Sequence, residues 1–142
     1  MRSLLDVNVL IALLDADHSS HGTAMAWFVE HAEQGWASCP ITQNGCIRIM
    51  SHAGYPNAQS VVATVQRLRA AADHPVHQFW ADDESLLDDR RIDTSRVHGP
   101  RQLTDVYLLA LAVGHGGRLV TFDRTIALAA VRGASAQHLV RL

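Results

Sequence analysis

Three aspartates in this chain stand where a carboxylate could do chemistry. Asp6 follows the apolar run Ser3-Leu4-Leu5, and Asp123 follows Leu119-Val120-Thr121-Phe122. Asp105 comes just after Thr104 and opens a long apolar stretch. Aspartate at the start of a helix is a favoured cap, worth typically ~1 kcal/mol. Taken singly, capping is the simpler account of each. Together they pose a different problem. Three carboxylates converging at one place repel one another and raise each other's pKa unless a cation sits among them. A hard divalent ion with oxygen ligands, Mg²⁺ or Mn²⁺, answers that charge. Histidine and cysteine are not placed to compete as ligands. The pairs His18-x-x-His21 and His74-x-x-His77 form no HExxH, and they read as surface or loop residues. Zinc is therefore not expected.

The elements that must position these residues follow from apolar periodicity. Short strands are expected at 3–5, 36–39, 76–80, 118–121 and 137–140. Helices are expected at 7–14, 23–33, 40–52, 58–72, 105–113 and 124–131, with a short one at 85–87 inside an irregular polar stretch, 81–99. Strand and helix alternate with short connections, which implies a parallel sheet covered by helices on both faces. In such sheets the functional crevice lies at the carboxyl ends of the strands. Asp6, Asp105 and Asp123 are all expected at that edge. No repeat, linker or low-complexity segment divides the chain, so residues 1–142 read as one α/β domain.

Composition removes several alternatives. All 12 basic residues are arginine, which excludes Schiff-base chemistry, a Walker A loop and pyridoxal-phosphate attachment. It also argues against the receiver-domain and haloacid-dehalogenase sites, which set a lysine beside the phosphate. Of the 14 acids only Glu30, Glu33 and Glu84 are glutamate, so carboxylate chemistry rests on aspartate. Residues 1–89 carry a balance of −7 and residues 90–142 a balance of +5. The acids peak at Asp82, Asp83, Glu84, Asp88 and Asp89. The arginine-rich half suits a polyanion or an ordinary mixed-charge surface. The longest aliphatic stretch, 9–14, is far short of a membrane span, and no secretory cleavage signal is present, so a cytoplasmic protein is expected. Cys39 and Cys46 form no CxxC and are expected to be reduced.

Four segments, in this order, resemble the PIN-domain ribonucleases, and among them the VapC-type toxins of bacterial toxin–antitoxin pairs. They are Leu4-Leu5-Asp6-Val7-Asn8-Val9-Leu10, Pro40-Ile41-Thr42-Gln43-Asn44-Gly45 with Arg48, Leu103-Thr104-Asp105 with the apolar run to Ala112, and Val120-Thr121-Phe122-Asp123-Arg124. None is specific alone; the set covers essentially the whole chain. The resemblance implies a three-layer α/β/α fold with about five mainly parallel strands, and an acidic pocket for one or two Mg²⁺ or Mn²⁺ ions. It implies endonucleolytic hydrolysis of RNA. Asp6, Asp105 and Asp123 would be the catalytic acids and metal ligands, with Asn8 and Thr121 orienting them. Arg48 and Arg124 would contact phosphate, although surface pairing would serve those arginines as well. The expected partners are RNA, a cognate VapB-type antitoxin and a second copy of the chain, and no membrane. Helix 58–72 and the region of Trp27 and Phe28 would supply the apolar surface, unless they are simply core.

One position departs from the family pattern. The glutamate usual in the helix after the second strand is replaced by Gln43, which offers a neutral carbonyl but no charge. That weakens metal affinity or favours a single ion. It motivates a second reading, a catalytically weak PIN domain that binds RNA or a protein without cutting. A third reading is an unrelated doubly wound domain whose aspartates are only caps.

Overall fold

The computed structural model describes Met1–Leu142. Its five strands are three or four residues long: β1 (Ser3–Leu5), β2 (Trp36–Ser38), β3 (His77–Phe79), β4 (Arg118–Thr121) and β5 (Leu139–Arg141). Every pairing is parallel, in the order β3-β2-β1-β4-β5. Strands covered on both faces need not alternate apolar with polar, and β1, β2 and most of β4 are buried along their length.

Five helices supply the cover: α1 (Val7–Leu14), α2 (His21–His31), α3 (Pro40–Met50), α4 (Val61–Ala72) and α5 (Leu103–Gly114). On one face, α5 packs over Leu4, Ala37, Leu119 and Leu139. On the other, α1, α3 and α4 pack over Leu5, Trp36 and Val120. Residues of one strand therefore go alternately to the two cores, giving three layers. Gly45 lets α3 lie close against α1, because a Cβ there would come within 2.7 Å of Val7 Cγ2. Both cysteines are buried and free.

The order of strands creates the crevice. From β1 the chain builds β2 and β3 to one side, then returns to lay β4 and β5 on the other. The helix that follows β1, α1, and the one that precedes β4, α5, lie on opposite faces of the sheet, which makes the carboxyl ends of β1 and β4 the switch point. Asp6 and Asp123 lie immediately beyond those two ends.

Several boundaries differ from expectation for local reasons. The helix expected at 124–131 reduces to one 3₁₀ turn, Leu128–Ala130. Asp123 Oδ1 accepts both the backbone N–H and the hydroxyl of Thr125, at 2.7 Å each, which closes a turn in competition with a helix. Residues 85–87 are likewise a turn, with Ser85 Oγ accepting the Leu87 N–H. Helix α4 starts only at Val61, where Ser60 caps the Ala63 N–H at 3.0 Å. Helix α5 starts earlier than expected, so Asp105 lies inside its first turn and caps nothing. The last strand runs one residue further, to Arg141. No helix is long and apolar enough to cross a membrane.

Candidate active site

Asp6 is built into the fold before it can do anything else. Its N–H extends the sheet to the Val120 carbonyl at 3.0 Å, and its side chain caps α1 by accepting the Val7 N–H at 2.7 Å. The second carboxylate oxygen accepts the Thr121 hydroxyl at 2.6 Å. Thr121 Oγ1 in turn accepts the Asp123 N–H at 3.0 Å and the Asn8 amide at 3.4 Å. Asn8 Oδ1 accepts the Phe122 N–H at 3.3 Å. The ends of β1 and β4 are thus stitched together through one hydroxyl and one amide.

The three aspartates have three different environments. Burial raises the Asp6 pKa most, the Thr121 and Val7 hydrogen bonds oppose the rise, and the Asp123 charge adds to it. Asp123 lies below the usual carboxylate range, chiefly through the Thr125 N–H and hydroxyl, with the Arg141 guanidinium contributing. Asp105 is pushed up to about 7 by burial, by the charges of Asp6 and Asp123, and by a hydrogen bond shared with Asp123. It projects from α5 toward the other two, and no backbone N–H or hydroxyl of the chain relieves it. A half-buried carboxyl raised by desolvation and then further by two neighbouring acids is a place where a positive charge would be favoured.

The donor chemistry fits a hard dication, since every candidate ligand is a carboxylate oxygen. The carboxylates do not close into a cage. No group of three His, Cys, Asp or Glu side chains stands ready-made around one point.

Gln43 is not brought to this site. Its amide donates to Ser38 Oγ at 2.9 Å, and it lines the cleft between α3 and α4 with Ile47, Val65 and Leu68. That cleft belongs to the opposite face of the sheet from α5. Arg124 is exposed directly beside Asp123. Arg48 is exposed on α3 beside a shallow cleft formed with Ile49, His52 and Tyr55. The paired histidines serve local structure: His21 Nδ1 lies 2.7 Å from the Ala12 carbonyl, and His77, inside β3, contacts Ser38 Oγ at 2.8 Å.

One residue at the site escaped the sequence reading. Arg141 pairs in register with Thr121, so its side chain leaves the sheet on the same face as the Thr121 hydroxyl, one strand away. The signal was present in the alternation Leu139-Val140-Arg141, but the strand was expected to stop one residue short.

A profile of the PIN domain matches residues 3–132. Ribonuclease VapC44 of Mycobacterium tuberculosis (strain ATCC 25618 / H37Rv) is 55% identical over 142 residues, the full length of both chains. The chain belongs to the VapC-type PIN-domain family. Ribonuclease VapC39 of the same strain is 41% identical over 134 residues, covering 94% of this chain and 96% of that one. The PIN fold is also seen in a crystal structure of VapBC2 from Rickettsia felis bound to a DNA fragment from their promoter. That structure superimposes with a TM-score of 0.59 at 12% identity, over 87% of this chain and 89% of its own. The three-layer architecture with a five-stranded parallel sheet is therefore that of the family, as the four segments implied.

Proposed function

We propose that this PIN-domain chain is a metal-dependent endoribonuclease and the toxin of a VapBC-type pair, acting in the cytoplasm. The observation that carries the reading is the placing of Asp105 on α5 against Asp6 and Asp123 at the strand-order switch, where burial first and the two neighbouring charges second push its carboxyl up to about 7. Membership of the family, whose relatives include the ribonucleases VapC44 and VapC39, supports the RNA substrate and the antitoxin partner. Mg²⁺, or Mn²⁺ in its place, would be held by Asp6, Asp105 and Asp123, and would supply positive charge for the scissile phosphate and acidify a water.

The chain's own residues do the rest. Thr121 and the Val7 N–H fix both oxygens of Asp6, so its carboxylate does not swing. Asn8 holds the exit of β4, which sets the position of Asp123. Asp105 meets no backbone N–H or hydroxyl, only the neighbouring Asp123, so its oxygens would be available to the ligand. Arg124 offers a guanidinium to RNA phosphate beside them, and Arg48 a second, more distant one. Attack by water leaves a 5′-phosphate and a 3′-hydroxyl. A 2′,3′-cyclic phosphate product would overturn the mechanism.

The antitoxin has a docking surface away from the acids. A groove of about 390 Å³ between α1, α2 and α4 is lined almost wholly by apolar side chains, among them Leu10, Leu14, Met25, Phe28 and Ala71. An amphipathic segment of a VapB-type antitoxin would fill it. Val61 and Val62 on α4 are 57% and 65% exposed, and would pair two copies into a homodimer that sedimentation detects.

The test is cleavage of a transfer and ribosomal RNA pool by the antitoxin-free chain in Mg²⁺ or Mn²⁺, with EDTA and a folded Asp105→Asn variant as controls. Ion-dependent cutting that vanishes in Asp105→Asn is expected. RNA binding without any cutting would favour the second reading, a PIN domain that binds and does not cleave, which Gln43, engaged with Ser38 away from the acids, does not itself support.

A further inference from the structure

The excess of arginine in residues 90–142 is not spread evenly over the surface. Arg90 is bound to Asp88 at 3.0 Å and Arg91 to Glu84 at 3.5 Å. Arg96 and Arg132 share Asp93, at 3.7 and 3.8 Å. Arg118 is turned to Ser3 and Gln34 and lies over the Trp27 ring. Of the four arginines in 90–142 without a carboxylate in ion-pair distance, Arg118 is engaged as above and three are left, Arg101, Arg124 and Arg141. Each stands near one of the acids in the chain or in the sheet. Arg101 lies in the 3₁₀ turn Pro100–Gln102 that leads straight into α5, one turn ahead of Asp105. Arg124 follows Asp123. Arg141 is set by its register with Thr121, and Nη2 rests 3.4 Å from the Ile126 carbonyl, a contact that leaves its other N–H groups uncommitted.

The opposite flank has the opposite sign. Beyond β3 the chain passes Asp82, exposed and close to Cys39 at the carboxyl end of β2, before Asp83 turns away to His115 past the C-terminus of α5. A polyanion lying across the acid cluster therefore meets acid on the β3 flank and unpaired guanidinium on the β4–β5 flank. We propose that Arg141, with Arg124 and Arg101, forms the track that holds the RNA backbone, so that the strand crosses the acid cluster on the β4–β5 side. Arg141 is the central member: the sheet register fixes its origin, and its planar fork accepts a phosphate bidentately. This rests on the endoribonuclease reading and adds to it the residues that bind substrate.

The experiment measures binding of a labelled, mixed-sequence single-stranded RNA oligonucleotide to the cleavage-deficient Asp105→Asn chain by anisotropy, over a series of KCl concentrations. Each phosphate contact to a single strand contributes about 0.7 to the slope of log K against log salt. Adding Arg141→Ala is expected to lower that slope by about 0.7 and the affinity about tenfold at low salt. Removing all three arginines should lower the slope by about 2. Arg67→Ala, on α4, should change neither quantity. Arg141→Gln, which keeps a donor for the Ile126 carbonyl, serves if the alanine variant does not fold. An unchanged slope in a folded Arg141 variant, in a protein whose parent binds and whose wild type cuts RNA, overturns the track. A parent that does not bind RNA, together with a wild type that does not cut it, overturns the endoribonuclease reading and the track with it.

Discussion

Thr121 has one proton to give and two lone pairs to offer, and it uses all three. It donates to Asp6 and accepts from Asn8 and from the Asp123 N–H, in a position with no solvent exposure. Thr121→Val keeps the shape and removes the hydroxyl, which leaves a buried carboxylate and two donors without partners. Such groups cost about 1–3 kcal/mol each when orphaned. We expect Thr121→Val to cut cleavage at least tenfold and to lower the urea midpoint, while Thr121→Ser keeps most of both. Equal activity in the valine variant would mean that Asp6 needs no tether. Gln43 is the contrasting residue. Its amide is engaged with Ser38 on the other face of the sheet, so Gln43→Glu puts no charge into the acid site. Turnover in that variant should stay within about twofold of wild type; a large rise in kcat would place residue 43 at the metal after all. The acids were legible as residues because Asp6 and Asp123 follow apolar runs and Asp105 opens one, whereas the orientation of Gln43 was not, since helical spacing alone does not say which side of α3 meets β1.

At the scale of elements, the ends are what the sequence hides. Strands β1 and β4 and helices α1 and α5 are visible as apolar runs, because burial on both sides leaves no polar position to obscure them. The 124–131 segment carries helical spacing too, yet the Asp123 side chain claims the Thr125 N–H that a helix would need. A side chain and a backbone competing for one donor leave no trace in periodicity. The end of α1 shows the same kind of hidden bond with a stabilising result. Asp15, only 8% exposed, accepts the Tyr55 hydroxyl and the Asn57 amide, tying α1 to the segment after α3. These bonds hold its carboxyl below the usual range. Tyr55→Phe leaves Asp15 buried with one strong partner gone, and should cost about 1–3 kcal/mol in denaturant unfolding. Nuclease activity per folded molecule should not change, because no atom of that cluster reaches the acids. A neutral Tyr55→Phe would show that water replaces the phenol there.

Over the whole molecule, the acid cluster trades stability for function, and pH exposes the trade. In the unfolded chain Asp105 titrates at its ordinary value of 3.8, while in the folded chain it titrates at about 7. Between those values the unfolded state has lost its proton and the folded state has not, so the unfolded state binds fewer protons. Stability from this group therefore falls as pH rises through that window, and is flat above it. Asp6 is raised as well and acts in the same direction. His77 has the opposite sign: burial lowers its pKa below 6.5, so its share of stability is present above that value and lost as pH falls. The two effects overlap, and a single pH profile does not separate them. A difference between two proteins does. Asp105→Asn removes the rising charge and leaves His77 untouched. In EDTA, the urea midpoint of the variant should match that of wild type near pH 4, exceed it progressively as the pH rises, and keep a constant lead above about pH 7. Excess Mn²⁺ at pH 8 should close the gap from the wild-type side, because an ion held by the folded chain alone stabilises it by mass action. A pH-independent difference would mean that neither burial nor the two neighbouring carboxylates raise Asp105, and would remove the electrostatic basis for placing a cation among them.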